Sequence, residues 1–309
     1  MTRPAPAPAE EVITVAMAGN PNVGKSTLFN AVTGMKQHTG NWPGKTVTGA
    51  EGRCRYHGKW YRLVDLPGTY SLMAHSAEEE VARDFLCFGA PQAVCVVCDA
   101  TCLERNLCLL LQTLEITPQV GVCLNLMDEA EKRHLHIDLP RLEALTGVPV
   151  TGCAARRKDA PQKLCALLER ITGGETRGEP IVLRYPEEIE HAIAPVWRVL
   201  RQKDCRGLSP RWLAMRLIEG EPGLTEALNR HLGEAFMRDA GLFAALAKAE
   251  ATLAAGNITP EKWQDAIVTT LAGAAARLAA AVVTGEEKSY SAGDRRRDAV
   301  LTGRRWGYP

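Results

Sequence analysis

The stretch Gly19-Asn20-Pro21-Asn22-Val23-Gly24-Lys25-Ser26 has the spacing G-x-x-x-x-G-K-S, which is typical of a phosphate-binding P-loop. The apolar run 12–18 precedes it and a helical pattern, 27–33, follows it. The two glycines let backbone N–H groups turn inward around phosphates, and the helix N-terminus adds partial positive charge. Lys25 can reach the β- and γ-phosphates of a nucleotide, and the Ser26 hydroxyl can bind Mg²⁺. The stretch therefore predicts a nucleoside triphosphate site.

The composition is that of an ordinary globular protein. The 309 residues are 46% hydrophobic and 24% charged, and this length is sufficient for two domains. The formal net charge of +1 gives no global reason to expect nucleic acid as a partner. The ten cysteines lie in apolar runs, which favours reduced thiols over disulfides. No run reaches the roughly 18 apolar residues of a membrane span, and the nearest candidate, 271–283, is interrupted by Arg277.

Apolar strands and amphipathic helices alternate through the first half of the chain. The predicted strands are 12–18, 53–57, 60–65, 93–99, 119–125 and 148–153, and the predicted helices are 25–33, 77–87, 103–114, 138–146 and 161–171. This alternation indicates an α/β fold with a mostly parallel sheet and helices on both faces. The turn His57-Gly58-Lys59 predicts an antiparallel hairpin between the second and third strands.

The pattern changes after the glycine-rich linker at 173–178. Helices then follow one another after Pro186, at Ser209-Pro210, over 242–253 and after Thr259-Pro260, since a cap residue followed by proline marks a helix start. The predicted organisation is a disordered lead at 1–11, a nucleotide-binding domain at 12–174, a small all-α helical domain at 175–285 and a basic tail at 286–309.

Three further elements restrict the ligand. Asp65-Leu66-Pro67-Gly68 ends a strand, where the carboxylate could hold Mg²⁺ through water and the glycine N–H could bond a γ-phosphate. Asn125-Leu126-Met127-Asp128 ends another strand, where a carboxylate could accept two hydrogens from guanine, a pair that adenine does not offer. A backbone N–H of Cys153-Ala154-Ala155 could meet the guanine oxygen. The structural alternatives are a plain turn and a strand end followed by a helix cap.

A polar loop, Gly40-Asn-Trp-Pro-Gly-Lys-Thr-Val47, joins the first helix to the second strand. Its Thr46 could bind Mg²⁺ and close only over a γ-phosphate, with Gly44, Lys45 and Val47 beside it. An ordinary surface loop is the alternative. The P-loop, Thr46 and the two strand-end motifs occur in one order, and this joint occurrence favours a guanine-nucleotide site.

The set GNPNVGKS, Thr46, DLPG and NLMD resembles that of the TRAFAC-type small GTPases. More narrowly, residues 12–172 resemble the cytosolic N-terminal region of the bacterial ferrous iron transport protein B (FeoB) family. The resemblance is carried by GNPNVGKSTLFNAVTG, GNWPGKTV, DLPGTYSL with the following EEEVARDF, and NLMDEAEKRHLHID. The helical region resembles that family's helical domain in position and length. The tail DRRRDAVLTGRRWG resembles the segment before the family's first membrane span.

The resemblance implies a Ras-like P-loop GTPase domain followed by a helical domain, with GTP or GDP, Mg²⁺ and K⁺ as its ligands. It implies slow GTP hydrolysis that regulates or drives ferrous iron uptake at the cytoplasmic face of the bacterial inner membrane. The implied partners are the membrane-spanning permease part of the same polypeptide, small accessory Feo proteins and a second copy of the chain, without nucleic acid. The implied nucleotide-binding residues are Gly19, Asn20, Pro21, Asn22, Val23, Gly24, Lys25, Ser26, Thr27, Gly44, Lys45, Thr46, Val47, Asp65, Leu66, Pro67, Gly68, Asn125, Leu126, Met127, Asp128, Cys153, Ala154 and Ala155, with Mg²⁺ at Ser26, Thr46 and Asp65.

The chain lacks the glutamine that orients the attacking water in many GTPases. A Gln commonly follows D-x-x-G there, whereas Thr69 and Tyr70 follow Gly68 here, and no arginine finger is evident. The resemblance supplies a substitute, because Asn22 matches the Asn that helps to bind K⁺ beside the phosphates in potassium-stimulated relatives, with carbonyls near residues 41 and 42. A turn residue that caps the loop is the alternative. The predicted catalytic residues are Asn22, Lys25, Thr46 and Gly68, with turnover on the order of 10⁻³ to 10⁻² s⁻¹.

Other residues depart from the family pattern. Lys45 replaces an apolar residue, Thr48-Gly49-Ala50 lacks the usual charges, and Ala154 replaces the Ser of the guanine loop. The first two put the ordering of the switch loop in question, and the third could weaken nucleotide affinity or speed GDP release.

Several weaker features keep alternatives open. Cys95-x-x-Cys98 resembles a metal motif, but alternate strand residues point to opposite faces, which favours core thiols. His134 and His136 are expected at a solvated helix end, with a metal role as the alternative. Glu78 to Glu80 could belong to a second switch or to an exposed helix start. Two other functions remain: a soluble ribosome- or tRNA-associated GTPase, and a binding module with an inactive P-loop.

Overall fold

One sheet carries the first half of the chain. The computed structural model describes residues 12–34, 38–42, 47–73, 76–174 and 179–285. The strands of this sheet are β1 Val12–Gly19, β2 His38–Asn41, β3 Thr48–Tyr56, β4 Lys59–Asp65, β5 Ala93–Asp99, β6 Val120–Asn125 and, after a short β7 described below, β8 Val150–Gly152. Their order is β2-β3-β4-β1-β5-β6-β8. The β2–β3 and β3–β4 pairs are antiparallel and the other pairs of this sheet are parallel, which confirms the predicted mostly parallel α/β sheet.

Strands β3 and β4 form the predicted hairpin. Tyr56 pairs with Lys59, so the connection is the two-residue turn His57-Gly58. The φ angles of these two residues, 44° and 83°, are those of a type I′ turn. The hairpin places Asp65, at the end of β4, beside β1 and its P-loop.

Strand β2 overlaps the start of the segment 40–47 that the sequence predicted as a loop. Gly40 pairs with Gly49 and Asn41 with Thr48, so β3 begins at Thr48 and not at the predicted residue 53. The prediction was wrong because this pairing is made by backbone hydrogen bonds between mostly polar and small residues, which give no apolar alternation. Strand β8 is also shorter than the predicted 148–153.

Helices cover both faces of the sheet. Alternate residues of β5 enter two different apolar clusters, with Val94, Val96 and Cys98 in one and Ala93 and Cys95 in the other. Burial raises the pKa of the Cys95 and Cys98 thiols, and the described residues contain no cluster of three metal-ligating side chains. Both cysteines are core thiols, as predicted. The helices are α1 Lys25–Thr33, α2 Ala77–Phe88, α3 Leu103–Ile116, α4 Met127–Lys132, α5 Leu139–Thr146 and α6 Ala160–Thr172.

The second half of the chain is helical, as predicted. Ser209 caps one helix by accepting from Trp212 N, and Thr259 caps another by accepting from Lys262 N. Two helices were not predicted, because one begins at Pro222-Gly223, which is a turn signal, and the other has four residues. The helices are α7 Glu187–Leu200, α8 Pro210–Glu219, α9 Pro222–Leu232, α10 Glu234–Met237, α11 Ala240–Ala255 and α12 Pro260–Val282.

The two halves are joined at several places. Helix α12 packs against α3 and α5, and the strand that follows it, β9 Val283–Thr284, pairs with β7 His136–Ile137. Tyr185 Oη donates to Glu115 at 2.5 Å, and Arg83 Nη1 donates to Glu221 at 3.3 Å. His136 is exposed, as predicted, but it lies in β7 and not at a helix end, whereas His134 does follow the end of α4. A two-residue strand is too short to give a sequence signal.

Helix α12 is longer than the apolar run 271–283. Among the described residues it is the one helix that is long and apolar enough, by length and composition, to cross a membrane. Its buried residues include Ile267, Leu271 and Leu278, which recur at helical spacing. They belong to the apolar cluster that also contains the β5 core, which is typical of a core helix.

Candidate functional site

The G-x-x-x-x-G-K-S stretch forms the loop between β1 and α1. Asn22 and Gly24 have positive φ angles of 65° and 80°, so the chain turns sharply before the helix begins. A Cβ on Gly24 would collide with the Asn125 side-chain amide, and one on Gly19 would lie 2.7 Å from the Val97 carbonyl oxygen. Close packing therefore requires both glycines.

A pocket of about 500 Å³ lies in front of this loop. The buried Lys25 ammonium donates to the Asp65 carboxylate and, at 2.5 Å, to the Leu66 carbonyl oxygen. Ser26 Oγ donates to Asp65 Oδ2 at 3.0 Å. The structure thus brings together the cation, hydroxyl and carboxylate that the sequence placed around phosphate and Mg²⁺. The pocket is lined by Asn20, Pro21, Asn22, Gly24, Lys25, Ser26, Thr27 and Gly68.

The segment Asp65–Gly68 reaches the pocket because β4 runs parallel to β1. Just beyond it, Thr69 N donates to the Gly19 carbonyl oxygen at 3.2 Å. A Cβ on Gly68 would lie 3.1 Å from Pro21 Cα. Gly68 is therefore in close contact with the P-loop, at the position that the sequence assigned to γ-phosphate sensing.

Asn20 adds a polar group to the same pocket. The residue is 3% exposed, and its side-chain Oδ1 and Nδ2 have no hydrogen-bond partner among the described residues. Such buried unpaired atoms are rare in folded proteins, and they fit a polar ligand in this pocket. The Ser26 and Asp65 oxygen atoms are donors of the hard type that Mg²⁺ prefers. The residues present therefore fit both phosphate and Mg²⁺.

Asn125 connects the two ends of the candidate site. It is fully buried, its Nδ2 donates to the Val23 carbonyl oxygen at 2.8 Å, and its Oδ1 accepts from Ala155 N at 2.9 Å. Both ends of this amide are thus bonded to protein backbone. The sequence predicted nucleotide contact for Asn125, and it gave no signal of this connecting arrangement, which joins loops distant in sequence.

Three loops meet behind Asn125. Leu126 has a φ of 62°, and Met127 N donates to the Cys153 carbonyl oxygen at 3.2 Å. Asp128 is in the first turn of α4 and half-buried, outside the pocket lined by the P-loop. Within the described residues the Ala154 N–H makes no hydrogen bond, whereas the flanking amides of the Cys153–Ala155 loop do.

Two thiols meet beneath this loop, a pairing that the sequence did not predict. Cys123 Sγ lies 3.2 Å from Cys153 Sγ, and both residues are buried. The contact with Cys153 and burial together raise the pKa of the Cys123 thiol. Cys153 thus packs the floor of the loop as a core thiol.

The remaining predicted residues belong to the polar loop 40–47. Gly44, Lys45 and Thr46 lie outside the described residues, whereas Val47 is buried and its carbonyl oxygen accepts from Trp42 N at 2.8 Å. The Trp42 indole packs against Phe85 of α2, with ring centroids 5.2 Å apart. A Cβ on Gly49 would lie 2.5 Å from the indole Nε1. The indole thus explains why a glycine stands among the atypical residues 48–50.

Comparison with known proteins gives the family. The sequence model described as ferrous iron transport protein B matches residues 13–168, and the one described as the FeoB cytosolic helical domain matches residues 185–284. This chain belongs to the FeoB family. The family assignment confirms the resemblance and does not favour a ribosome- or tRNA-associated GTPase.

FeoB relatives are much longer than this chain. The Fe(2+) transporter FeoB of Escherichia coli K12 is 35% identical over 213 residues, which cover 68% of this chain and 27% of the relative. The FeoB of Methanocaldococcus jannaschii is 38% identical over 213 residues, or 69% of this chain and 31% of the relative. The match therefore spans well under half the length of each of these transporters.

Solved FeoB structures match the whole architecture. The cytosolic domain of T. maritima FeoB in a GDP form has a TM-score of 0.69 and 31% identity, covering 89% of this chain and 100% of that one. A GDP-bound point mutant of S. thermophilus NFeoB has a TM-score of 0.71 and 28% identity, covering 88% and 100%. These matches confirm the fold class, a P-loop GTPase domain followed by a helical domain.

Proposed function

We propose that this chain is the GTP-binding and GTP-hydrolysing cytosolic region of a ferrous iron transporter. The observation that carries the proposal is that Lys25, Ser26 and Gly68 line one pocket at the strand ends, with Asp65 bonded to the first two. Solved structures of the T. maritima FeoB cytosolic domain include a GDP form and a GMPPNP form, which supports guanine nucleotide as the ligand here.

The phosphate end of the site neutralises and holds negative charge. Lys25 supplies a buried ammonium, the start of α1 supplies backbone N–H groups, and Gly68 N–H is the proposed bond to the γ-phosphate. Ser26, Asp65 and Thr46 are the proposed residues around Mg²⁺, which when bound supplies charge stabilisation at the phosphates. The Asp65 carboxylate holds both the Lys25 ammonium and the Ser26 hydroxyl, so it orients the two groups together.

The base end discriminates guanine. Asp128 at the start of α4 is the proposed acceptor for the two guanine N–H groups, and Ala154 N–H is the proposed donor to the guanine oxygen. Asn125 aligns these loops with the P-loop and does not itself need a free hydrogen-bonding group. Leu126, Met127, Cys153 and Ala155 are proposed as the flanking contacts.

The D128N variant tests the base end. An amide at this position donates where the carboxylate accepted, so it mismatches guanine and suits a base with an oxygen at C2, as in xanthosine triphosphate. We expect GTP affinity to fall by at least about a hundredfold while XTP affinity rises, measured by calorimetric titration. Glu131→Gln, on the same short helix and exposed, is the matched control. Unchanged GTP affinity in D128N would contradict the proposed guanine site.

We also propose that K⁺ stimulates hydrolysis through Asn22. This residue lines the pocket beside the phosphate-binding groups, and the D-x-x-G segment carries no glutamine to orient water. The expected result is a GTPase rate severalfold higher in K⁺ than in Na⁺, with the difference lost in N22A while GDP affinity is kept. Equal rates in the two salts would end this part of the proposal.

The proposed division is a lead at 1–11, a G domain at 12–174, a helical domain at 175–285 and a tail at 286–309. The proposed partners are the membrane-embedded permease of the same polypeptide, small accessory Feo proteins and a second copy, at the cytoplasmic face of the inner membrane. One relative, from Porphyromonas gingivalis, is a fusion of Fe(2+) transport protein A with FeoB, which supports the accessory partner. Nucleotide-dependent capture of the permease part by this chain would test the assignment.

A further inference from the structure

Helix α3 holds the segment that follows Gly68. Gln112, in the third turn of α3, accepts from Leu72 N through Oε1 at 2.7 Å and donates from Nε2 to Ser71 Oγ at 3.4 Å. One side-chain amide thus satisfies the backbone and side chain of two consecutive residues. The segment also has an internal hydrogen bond, since Thr69 Oγ1 donates to the Ser71 carbonyl oxygen at 2.6 Å.

A second α3 side chain contacts the same segment. The Arg105 guanidinium lies 4.0 Å from the centroid of the Tyr70 ring, a distance typical of a cation–π contact. Arg105 and Gln112 are seven residues apart, which places them two turns apart on one face of the helix. Helix α3 therefore contacts residues 70, 71 and 72 in succession.

The start of this segment belongs to the candidate site. Thr69 N is bonded to Gly19 of the P-loop, and Gly68 packs against Pro21. The γ-phosphate bond proposed for Gly68 N–H needs this backbone in one conformation, and ordering a free loop at each turnover would cost entropy. We propose that Gln112 is a positioning residue for GTP hydrolysis, which holds the Gly68 segment in place from α3, with Arg105 assisting. This inference rests on the proposed GTPase function.

The variant Gln112→Ala tests it. We expect kcat for GTP hydrolysis to fall by about tenfold, with the KM for GTP and the Kd for GDP within about twofold of wild type. Gln112→Glu keeps the acceptor for Leu72 N, so it should recover most of the rate. The matched control is Gln92→Ala, because Gln92 Oε1 also accepts from a backbone amide, Thr14 N at 2.6 Å, at the other end of the sheet.

Arg105 provides a test that does not depend on a buried bond. Arg105 is exposed, so Arg105→Ala should fold normally and lower kcat by about threefold, while Arg105→Lys keeps the charge and most of the rate. Arg201→Ala is its control, since that arginine lies over Trp197 at 5.4 Å in the helical region. Rates within about twofold of wild type for both Gln112→Ala and Arg105→Ala would overturn this inference and leave the proposed GTPase function standing. Absence of any GTP turnover by the wild-type chain would overturn the proposed function and this role together.

Discussion

Asn125 shows how a single buried amide can connect distant loops. It ends β6, yet its partners are Val23 in the P-loop and Ala155 beyond β8. Its Nδ2 also occupies the space that a Cβ on Gly24 would need. The P-loop and the Cys153–Ala155 loop, which are the proposed phosphate and base ends of the site, are therefore positioned by the same side chain.

The Asn125→Ala variant should be strongly destabilised. It leaves the buried Val23 carbonyl and the half-buried Ala155 N–H without this partner, and we expect a loss of about 2–4 kcal/mol in the free energy of unfolding. Asn106→Ala is the control, because Asn106 is similarly buried and, among the described residues, its Nδ2 bonds to Cys102 of its own turn, at 2.9 Å to the carbonyl oxygen and 3.5 Å to Sγ. Urea unfolding measures both; a loss for Asn125→Ala no larger than that for the control would contradict the connecting role.

At the scale of elements, the sequence predicted those whose signal is local. Helix α1 and the β3–β4 hairpin were predicted from a P-loop and a two-residue turn. Strand β2 and the β7–β9 pair were missed, because their stability comes from backbone pairing with segments that the local pattern does not reveal. In the site, residue types placed Lys25 with Asp65, while Asn125's partners required the fold.

The contact between the end of α3 and the start of α7 should depend on pH. Burial raises the pKa of Glu115 above its ordinary value of 4.5, while the Tyr185 hydroxyl and nearby Arg216 and Arg211 oppose the change. Above about pH 4.5 the folded chain then binds more protons at Glu115 than the unfolded chain, so wild type loses stability as pH rises through the raised pKa. The Gln side chain of Glu115→Gln does not titrate. The free energy of unfolding of this variant, relative to that of wild type, should therefore rise by about 1.4 kcal/mol for each pH unit between the ordinary and the raised pKa.

Glu190→Gln provides a control of opposite sign for that measurement. Burial would raise the pKa of Glu190, but hydrogen bonds from Arg211 and from the Tyr185 backbone lower it overall. The wild-type carboxylate therefore adds stability above its ordinary pKa that is lost as pH falls. Urea unfolding at several pH values from acid to neutral should show the free energies of unfolding of the two variants diverging from that of wild type in opposite directions. Free energies that change with pH in parallel for all three proteins would contradict the two pKa directions.

At the scale of the whole molecule, one apolar cluster extends from the sheet into the helical region. It includes Val94 and Val96 of β5 and Leu271 and Leu278 of α12. Helix α12 also packs along α3. Because the core is continuous, we expect the two regions to unfold in one cooperative transition.

The Leu271→Ala variant tests this continuity. Leu271 is 3% exposed, so its truncation should lower the free energy of unfolding by about 2–4 kcal/mol. Amide exchange in β5 should accelerate as well, although Leu271 lies in the second half of the chain. Val268→Ala, on the same helix and 51% exposed, should change stability by less than about 1 kcal/mol. Unchanged exchange in β5 would show that the two regions unfold independently.

The β7–β9 pair gives the molecule a mechanical property. Its strand β9 is followed by Gly285, where a Cβ would collide with the His134 backbone, and its strand β7 follows α4, which begins beside Asp128. Tension applied to the chain after Gly285 would act first on the hydrogen bonds of the β7–β9 pair. It would then be transmitted through His134 to α4. A pull at that point would therefore act on the residues proposed to recognise guanine before it reached the P-loop. Displacement of the chain after Gly285 would then change the affinity for the guanine base.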